Sequence, residues 1–247
     1  MKILKSTLGI AMLALLAVAC GPKGETVETS EAKEVASVAD AVAIPVNTAN
    51  SQITWIGSKP AGKHNGTIAI TNGEIMKSGS EIVGGSFTID INSLVVLDLP
   101  AESEYNGKLK GHLMSADFFD AANHPTASFE VTSVKPYTAS GLEADKEQYD
   151  TENKPAGLSE IMVENPTHFI SGNLTMRGTT KNITFPAHVS MNNGKIMAKA
   201  NFNIDRTEWG LMYGNEASIA DKAKDSFVYD TVNVGFVLEA ANDSSAE

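Results

Sequence analysis

A single cysteine, Cys20, is all the thiol that this chain of 247 residues contains. No disulfide can form within it, so stability has to come from a packed core. Catalytic signatures are missing as well: there is no GxSxG elbow, no phosphate-binding loop and no dinucleotide fingerprint, which leaves nucleophilic catalysis without support. The five histidines, His64, His112, His124, His168 and His188, form no HxH or HExxH pair of the kind that grips a metal. Basic residues are scarce, 19 against 30 acidic ones, a balance that disfavours nucleic acid and anionic lipid head groups alike. No second apolar run of membrane-spanning length follows the first twenty residues.

Those first residues carry the strongest targeting signal. Lys2 and Lys5 precede the apolar run Ile10–Val18, and Ala19 precedes Cys20, the arrangement of a bacterial lipoprotein signal in which residues 1–19 are removed and Cys20 is acylated. The plainer alternative makes Cys20 the last residue of an ordinary signal peptide. Either way the chain is expected to be exported, with the folded part in the periplasm or at the cell surface. Loss of Lys2 and Lys5 leaves 17 basic residues against 30 acidic, a net charge of −13. Membrane attachment would then rest on the acyl chains, each buried methylene contributing roughly 0.8 kcal/mol. Residues 20–46 are rich in Glu, Ala, Val and Thr and have no aromatic residue, which predicts a flexible acidic tether spanning on the order of 30 Å. Residues 241–247 read as a polar tail.

Between these ends the dominant signal is alternation. Ile53 and Trp55 make a short example; Phe87, Ile89 and Ile91 oppose Thr88, Asp90 and Asn92; Phe185, Ala187 and Val189 oppose Thr184, His188 and Ser190. Ala198, Ala200, Phe202 and Ile204 then face away from Lys199, Asn201 and Asn203, and Val234, Phe236 and Leu238 close the series. Period two with one apolar face means antiparallel strands wetted on one side. Gly178-Thr179-Thr180 and Asn192-Asn193-Gly194 are hairpin signals. Strands are predicted at about 51–57, 66–76, 81–92, 127–135, 169–177, 181–191, 195–205 and 230–240, eight in all. Eight antiparallel strands can close into a barrel, solid or holding one small ligand, and a sandwich is the alternative.

Three segments interrupt the pattern. Leu109, Leu113 and Ala116 recur at helical spacing, and Asp120, Asn123 and Pro125 are expected to stop that helix before Ala127, Phe129 and Val131 begin a strand. Phe118 and Phe119 fall where the helix must be pinned against the sheet. Asp117, Asp120 and His124 are spaced to share a helix face and bind a metal, but helix termination explains them better, so no metal site is expected. Residues 139–168 read as a polar insertion, a mobile excursion over one barrel end. Trp209, Leu211, Met212 and Tyr213 cluster apolar surface, and Asn215 is placed to cap a short helix from Glu216 to about Lys224.

The phrases LMSADFFD and HPTASF between Leu113 and Phe129, GNLTMRGTTKNITF from Gly172 to Phe185 and NIDRTEWG from Asn203 to Gly210, in this order and spacing, resemble the YceI family of lipid- or polyisoprenoid-binding proteins. The resemblance covers about residues 47–240, the folded domain. It implies an all-β, eight-stranded antiparallel lipocalin-like barrel with one or two short helices, and non-enzymatic binding, storage or transport of an isoprenoid-like amphiphile in an apolar lumen. The candidate lumen set is Ile53, Trp55, Phe87, Ile89, Phe118, Phe129, Val131, Leu174, Met176, Phe185, Ala187, Ala198, Ala200, Phe202, Trp209 and Phe236. Arg177 and Arg206 either bond backbone groups at strand corners or meet a ligand's polar head. No catalytic residue and no cofactor other than the bound lipid is expected; an envelope hydrolase or metal enzyme and a solid structural barrel are the competing readings.

Overall fold

The computed structural model describes residues 26–35, 40–138, 149–218 and 227–241. Eight long strands appear where alternation predicts them: β1 (Gln52–Lys59), β2 (Gly62–Ser78), β3 (Glu81–Asp90), β4 (Thr126–Pro136), β5 (His168–Met176), β6 (Thr179–Asn192), β7 (Lys195–Asp205) and β8 (Thr231–Ala241). Each pairs antiparallel with the next along the chain, and β8 returns to β1 through Phe236↔Ile53 and Val234↔Trp55. That last pairing closes an eight-stranded barrel and excludes the sandwich.

The hairpin signals work through their backbone conformations. Arg177 (φ +50°) and Gly178 (φ +75°) turn β5 into β6, and Asn193 (φ +49°) and Gly194 (φ +76°) turn β6 into β7. Two consecutive positive φ values match the right-handed twist of the flanking strands. The first turn lies one residue earlier than expected, with Thr179 and Thr180 already in β6. Arg177 is held in this uncommon conformation by its guanidinium, which donates to the carbonyls of Ala116 (2.7 Å), Phe118 (2.8 Å) and Gly210 (2.9 Å).

The helix α1 (Glu104–Met114) starts and stops earlier than its apolar spacing suggests. Ser103 caps it, its hydroxyl accepting from the Tyr105 amide, and buried Asn106 donates to the carbonyls of Val96 and Leu99. Ser115 ends it, and residues 115–121 then fold back in tight turns, with Phe119 N bonded to Leu113 O and Asp120 at φ +50°. Asp120 therefore sits in a later turn rather than at the helix end.

Three short strands patch the places where barrel strands part. Val95–Val96 pairs with Gly66 and Thr67 of β2, and Val42–Pro45 pairs with residues 74–77 of the same strand. The third, Thr29–Glu31, pairs with residues 181–183 of β6, and Val27 N donates to Asn203 O of β7. Because β6 and β7 pair only over 188–192 and 195–199, this segment fills the seam that they leave open. The predicted flexible tether is corrected here for residues 26–35 and 42–46: Val27, Ile44 and Val46 are buried, and Asn173 grips Lys33 at both its amide and its carbonyl. Composition averaged over the segment misses this, because unsatisfied strand edges reward even a short apolar stretch. Cys20, residues 1–25 and residues 242–247 lie outside the described residues.

The described part of the insertion, 149–168, divides: residues 149–153 lie at the cavity end of the barrel, Tyr149 against Phe227, residues 156–158 lie against the outer face of β7 and β8, and Asn165 and Thr167 bond to β6 before β5 begins at His168. Asn203 and Asn233 point outwards, since they alternate with inward Phe202 and Val234, and both donate to Ala156 O at 3.0 Å. Tyr229 Oη donates to Tyr149 O at 2.6 Å, Asn153 bonds Pro60 O, and Leu158 of α2 (Leu158–Ile161) is buried. Of the helix expected from Glu216, Glu216–Ser218 forms a single 3-10 turn, with Ser218 N bonded to Asn215 O; 219–226 are outside the described residues.

Candidate functional site

The barrel interior is divided. Towards one end it is filled by five phenylalanines: Phe87 stacks on Phe129 (centroids 5.4 Å apart), Phe185 on Phe202 (4.2 Å), and Phe236 packs edge-on to Phe185 (5.7 Å). Offset and tilted rings at these separations make a dense floor. Towards the other end lies a cavity of about 440 Å³, within the range of small-molecule sites, about 300–1,000 Å³. Its wall is apolar: Ile53, Trp55, Ile68, Ile89, Ala127, Leu174, Met176, Ile204, Val232 and Val234 from the strands, with Ile91 and Leu94 just beyond β3. Leu109 and Leu113 of α1, Phe118, Phe119, Leu211, Tyr213, Phe227 and Val228 cap it. Lys59 and Tyr213, both exposed, mark its mouth.

Of the candidate lumen set, Ile53, Trp55, Ile89, Phe118, Leu174 and Met176 do line this cavity. Phe87, Phe129, Phe185, Phe202 and Phe236 are corrected to the solid floor, with Ala187 and Ala200 buried among the same core and Val131 and Ala198 packed against it. Trp209 is fully buried and donates from Nε1 to Leu174 O, behind the cavity wall. Period two identifies the inward face but not the height along the barrel, which is why deep and shallow residues were grouped together. The same limit hid Ile204, Val232 and Val234, whose parity was visible. Gly57 and Ser58, which also line the cavity, gave no sequence signal.

The two arginines are structural anchors. Arg177 ties the cap to the β5–β6 turn, as described above, and does not line the cavity. Arg206 does line it, yet its guanidinium is spent: Nε donates to Tyr229 O (3.0 Å), the terminal nitrogens reach Val228 O (2.9 Å), Leu211 O and the Asp230 carboxylate (3.4 Å). Burial pulls its pKa down, against the opposing pull of Asp230, Asp205 and Glu216. Its plane also lies 5.8 Å from the Phe118 ring, a cation–π contact that steadies the cap.

Two histidine–aspartate pairs stand at the rim. His64 Nδ1 meets Asp98 Oδ2 at 2.7 Å, and the other Asp98 oxygen accepts from the Asn65 amide. His112 Nε2 meets Asp117 at 3.0 Å and packs edge-on to Phe118 and Tyr213. Asp117 is thus drawn to His112, Asp120 accepts from the Asn123 amide group, and His124 lies over Gly178. Among the described residues no three His, Cys, Asp or Glu side chains converge on a possible metal position.

A closed eight-stranded barrel with a capped apolar half-lumen is the frame within which the chain matches the YceI-like domain, over residues 45–240. The chain belongs to the YceI family. Two solved structures share the fold of this YceI-like protein. BcnA of Burkholderia cenocepacia is 19% identical with a TM-score of 0.52, the match covering 79% of this chain and 99% of that one. A polyisoprenoid-binding domain from Saccharophagus degradans, implicated in plant cell wall breakdown, is 17% identical with a TM-score of 0.51, covering 80% and 97%. No curated protein matches the chain significantly.

Proposed function

We propose that this YceI-like protein binds the tail of one isoprenoid-like or similar amphiphile in the cavity between its phenylalanine floor and its helical cap, and performs no chemistry on it. The observation that carries this reading is a cavity of about 440 Å³ walled almost wholly by apolar side chains. Each methylene taken from water contributes about 0.8 kcal/mol, so a short tail suffices to offset the entropic cost of association. The family, and the polyisoprenoid-binding domain that shares the fold, support the same reading. No cofactor is required. We further infer that the protein works in the cell envelope, with Cys20 acylated as an anchor. Since Val27 is docked on the barrel, the seven residues from Cys20 to Thr26 would keep the barrel within about 25 Å of the membrane surface.

The test uses protein lacking residues 1–20. Its organic extract is expected to contain an amphiphile, and the emptied protein to take up a hydrophobic fluorescent probe. Gly57 faces open space, with no atom within 4 Å of where its Cβ would stand. Gly57→Leu should therefore fill the lumen without disturbing its neighbours, weakening uptake about tenfold or more, or at least 1.4 kcal/mol, at an unchanged melting temperature. Wild-type protein with neither bound lipid nor uptake would overturn the reading.

A further inference from the structure

The β1–β2 hairpin carries a polar niche into the mouth of the cavity. Its register runs unbroken from Gln52↔Ala69 to Lys59↔Gly62, so Trp55, Gly57 and Lys59 share the inward face of β1. Directly opposed residues share a face, which puts His64, the partner of Gly57, on the inward face of β2. All four line the cavity. Lys59 and His64 each stand across from a glycine, Gly62 and Gly57, and neither glycine has an atom within 4 Å of where its Cβ would be. Both polar side chains therefore border open space. His64 gives Nδ1 to Asp98, whose other oxygen is held by the Asn65 amide. The ring is thereby fixed, and Nε2, on its far side, has no partner among the described residues. Lys59 has none there either. One step deeper, the indole Nε1 of Trp55 is buried without a partner, and buried polar atoms are nearly always satisfied in native proteins. Alternate residues on a strand lie about 7 Å apart and diagonal cross-strand pairs about 7–8 Å, so one group placed at Gly57 is within reach of all three side chains.

The geometry points to a niche around Gly57 that holds the carboxylate of an amphiphilic acid, with Lys59 and His64 as the residues that recognise it. This rests on the cavity being an amphiphile site, and it adds the class of head group. The ammonium and the indole N–H donate and never accept, and an imidazolium balanced by Asp98 donates from Nε2, so an acceptor-only group matches all three. The charge count selects a single negative charge. Lys59 offsets one, while His64 is already matched by Asp98, so a doubly charged phosphate monoester would leave a charge without a counter-ion in an apolar mouth. The acidic surplus of the chain works against adhesion to anionic surfaces, but charges farther than about 10 Å are screened, and at the niche the free cation is Lys59.

Three probes that share one twelve-carbon chain separate the possibilities: dodecanol, dodecanoic acid and dodecyl phosphate, offered to protein that lacks residues 1–20 and keeps every described element. At neutral pH the wild type should bind the acid about tenfold more tightly than the alcohol, the worth of a hydrogen bond to a charged group, and the phosphate no more tightly than the acid. Lys59→Met keeps the length and apolar stem of an exposed side chain. It should bring the acid-to-alcohol ratio close to one, with dodecanol affinity and melting temperature unchanged, whereas Lys59→Arg should keep the preference. His64→Gln should lower the ratio part of the way. A ratio untouched by Lys59→Met, or phosphate binding tightest of the three, overturns the niche. Acid bound no better than alcohol by the wild type sinks the niche while leaving amphiphile binding intact, and binding of none of the three sinks both.

Discussion

Asp98 brings pH to the rim of the cavity. Burial on its own would raise its pKa, but the Asn65 amide and the His64 ring together hold the carboxyl below its ordinary value. A carboxylate with a lower pKa folded than unfolded adds stability above the unfolded value, near 4, and loses it as pH falls through the folded one. Asp98→Ala should therefore melt at a lower temperature than the wild type at neutral pH, with the two melting curves converging as pH drops below about 4. A gap independent of pH in calorimetry would mean that Asp98 acts by packing alone. At this scale the sequence was informative about type and poor about place. Phe118 stood out from its neighbours and does line the cavity, yet nothing in the alternation distinguished Ile53 and Trp55, which line it, from Phe236 one level deeper. Gly57 was invisible because its contribution is the absence of a side chain.

Strands Thr29–Glu31 and Val95–Val96 show what elements do that residues do not. Each contributes only a few hydrogen bonds, and each occupies an edge that exists only because longer neighbours diverge. Ile183 of β6 and Asn203 of β7 belong to stretches with no direct pairing to each other, bridged by residues 27–31. A chain beginning at residue 40 should still close its barrel, since β8 pairs with β1 independently. Its amides at 181–183 and 201–205 should exchange faster, however, while 188–192 stay protected, because local opening follows the loss of a covering strand. Hydrogen exchange read by mass spectrometry checks this, and uniform loss of protection would show instead that the segment is needed for the whole fold. Helix α1 makes a similar point: its apolar spacing predicted a helix, while its limits were set by Ser103 and by the turns that place Phe118 and Phe119 over the lumen.

The molecule as a whole is half solid and half hollow, and the boundary between the halves sets the length of chain it can accept. Phe236 is paired in register with Ile53, a cavity-lining residue, and touches both Phe87 and Phe185. Phe236→Ala should deepen the lumen at a cost of about 3–5 kcal/mol in stability. In a series of isoprenoid alcohols of rising length, wild-type affinity should climb and then level off; the variant should level off at a longer chain, and an unmoved plateau would mean that the floor is not the limit. The eight strands and their inward faces were determined by the sequence alone, because a period of two is a local property of consecutive residues, whereas their closure into a barrel came from the pairing of β8 with β1. Where the lumen ends, which inward residues meet a ligand and how residues 27–31 are used were decided only by tertiary structure. Those depend on the register and stagger of strands distant in sequence, which set the level of each side chain along the barrel axis, and on edges that appear only once the barrel has closed.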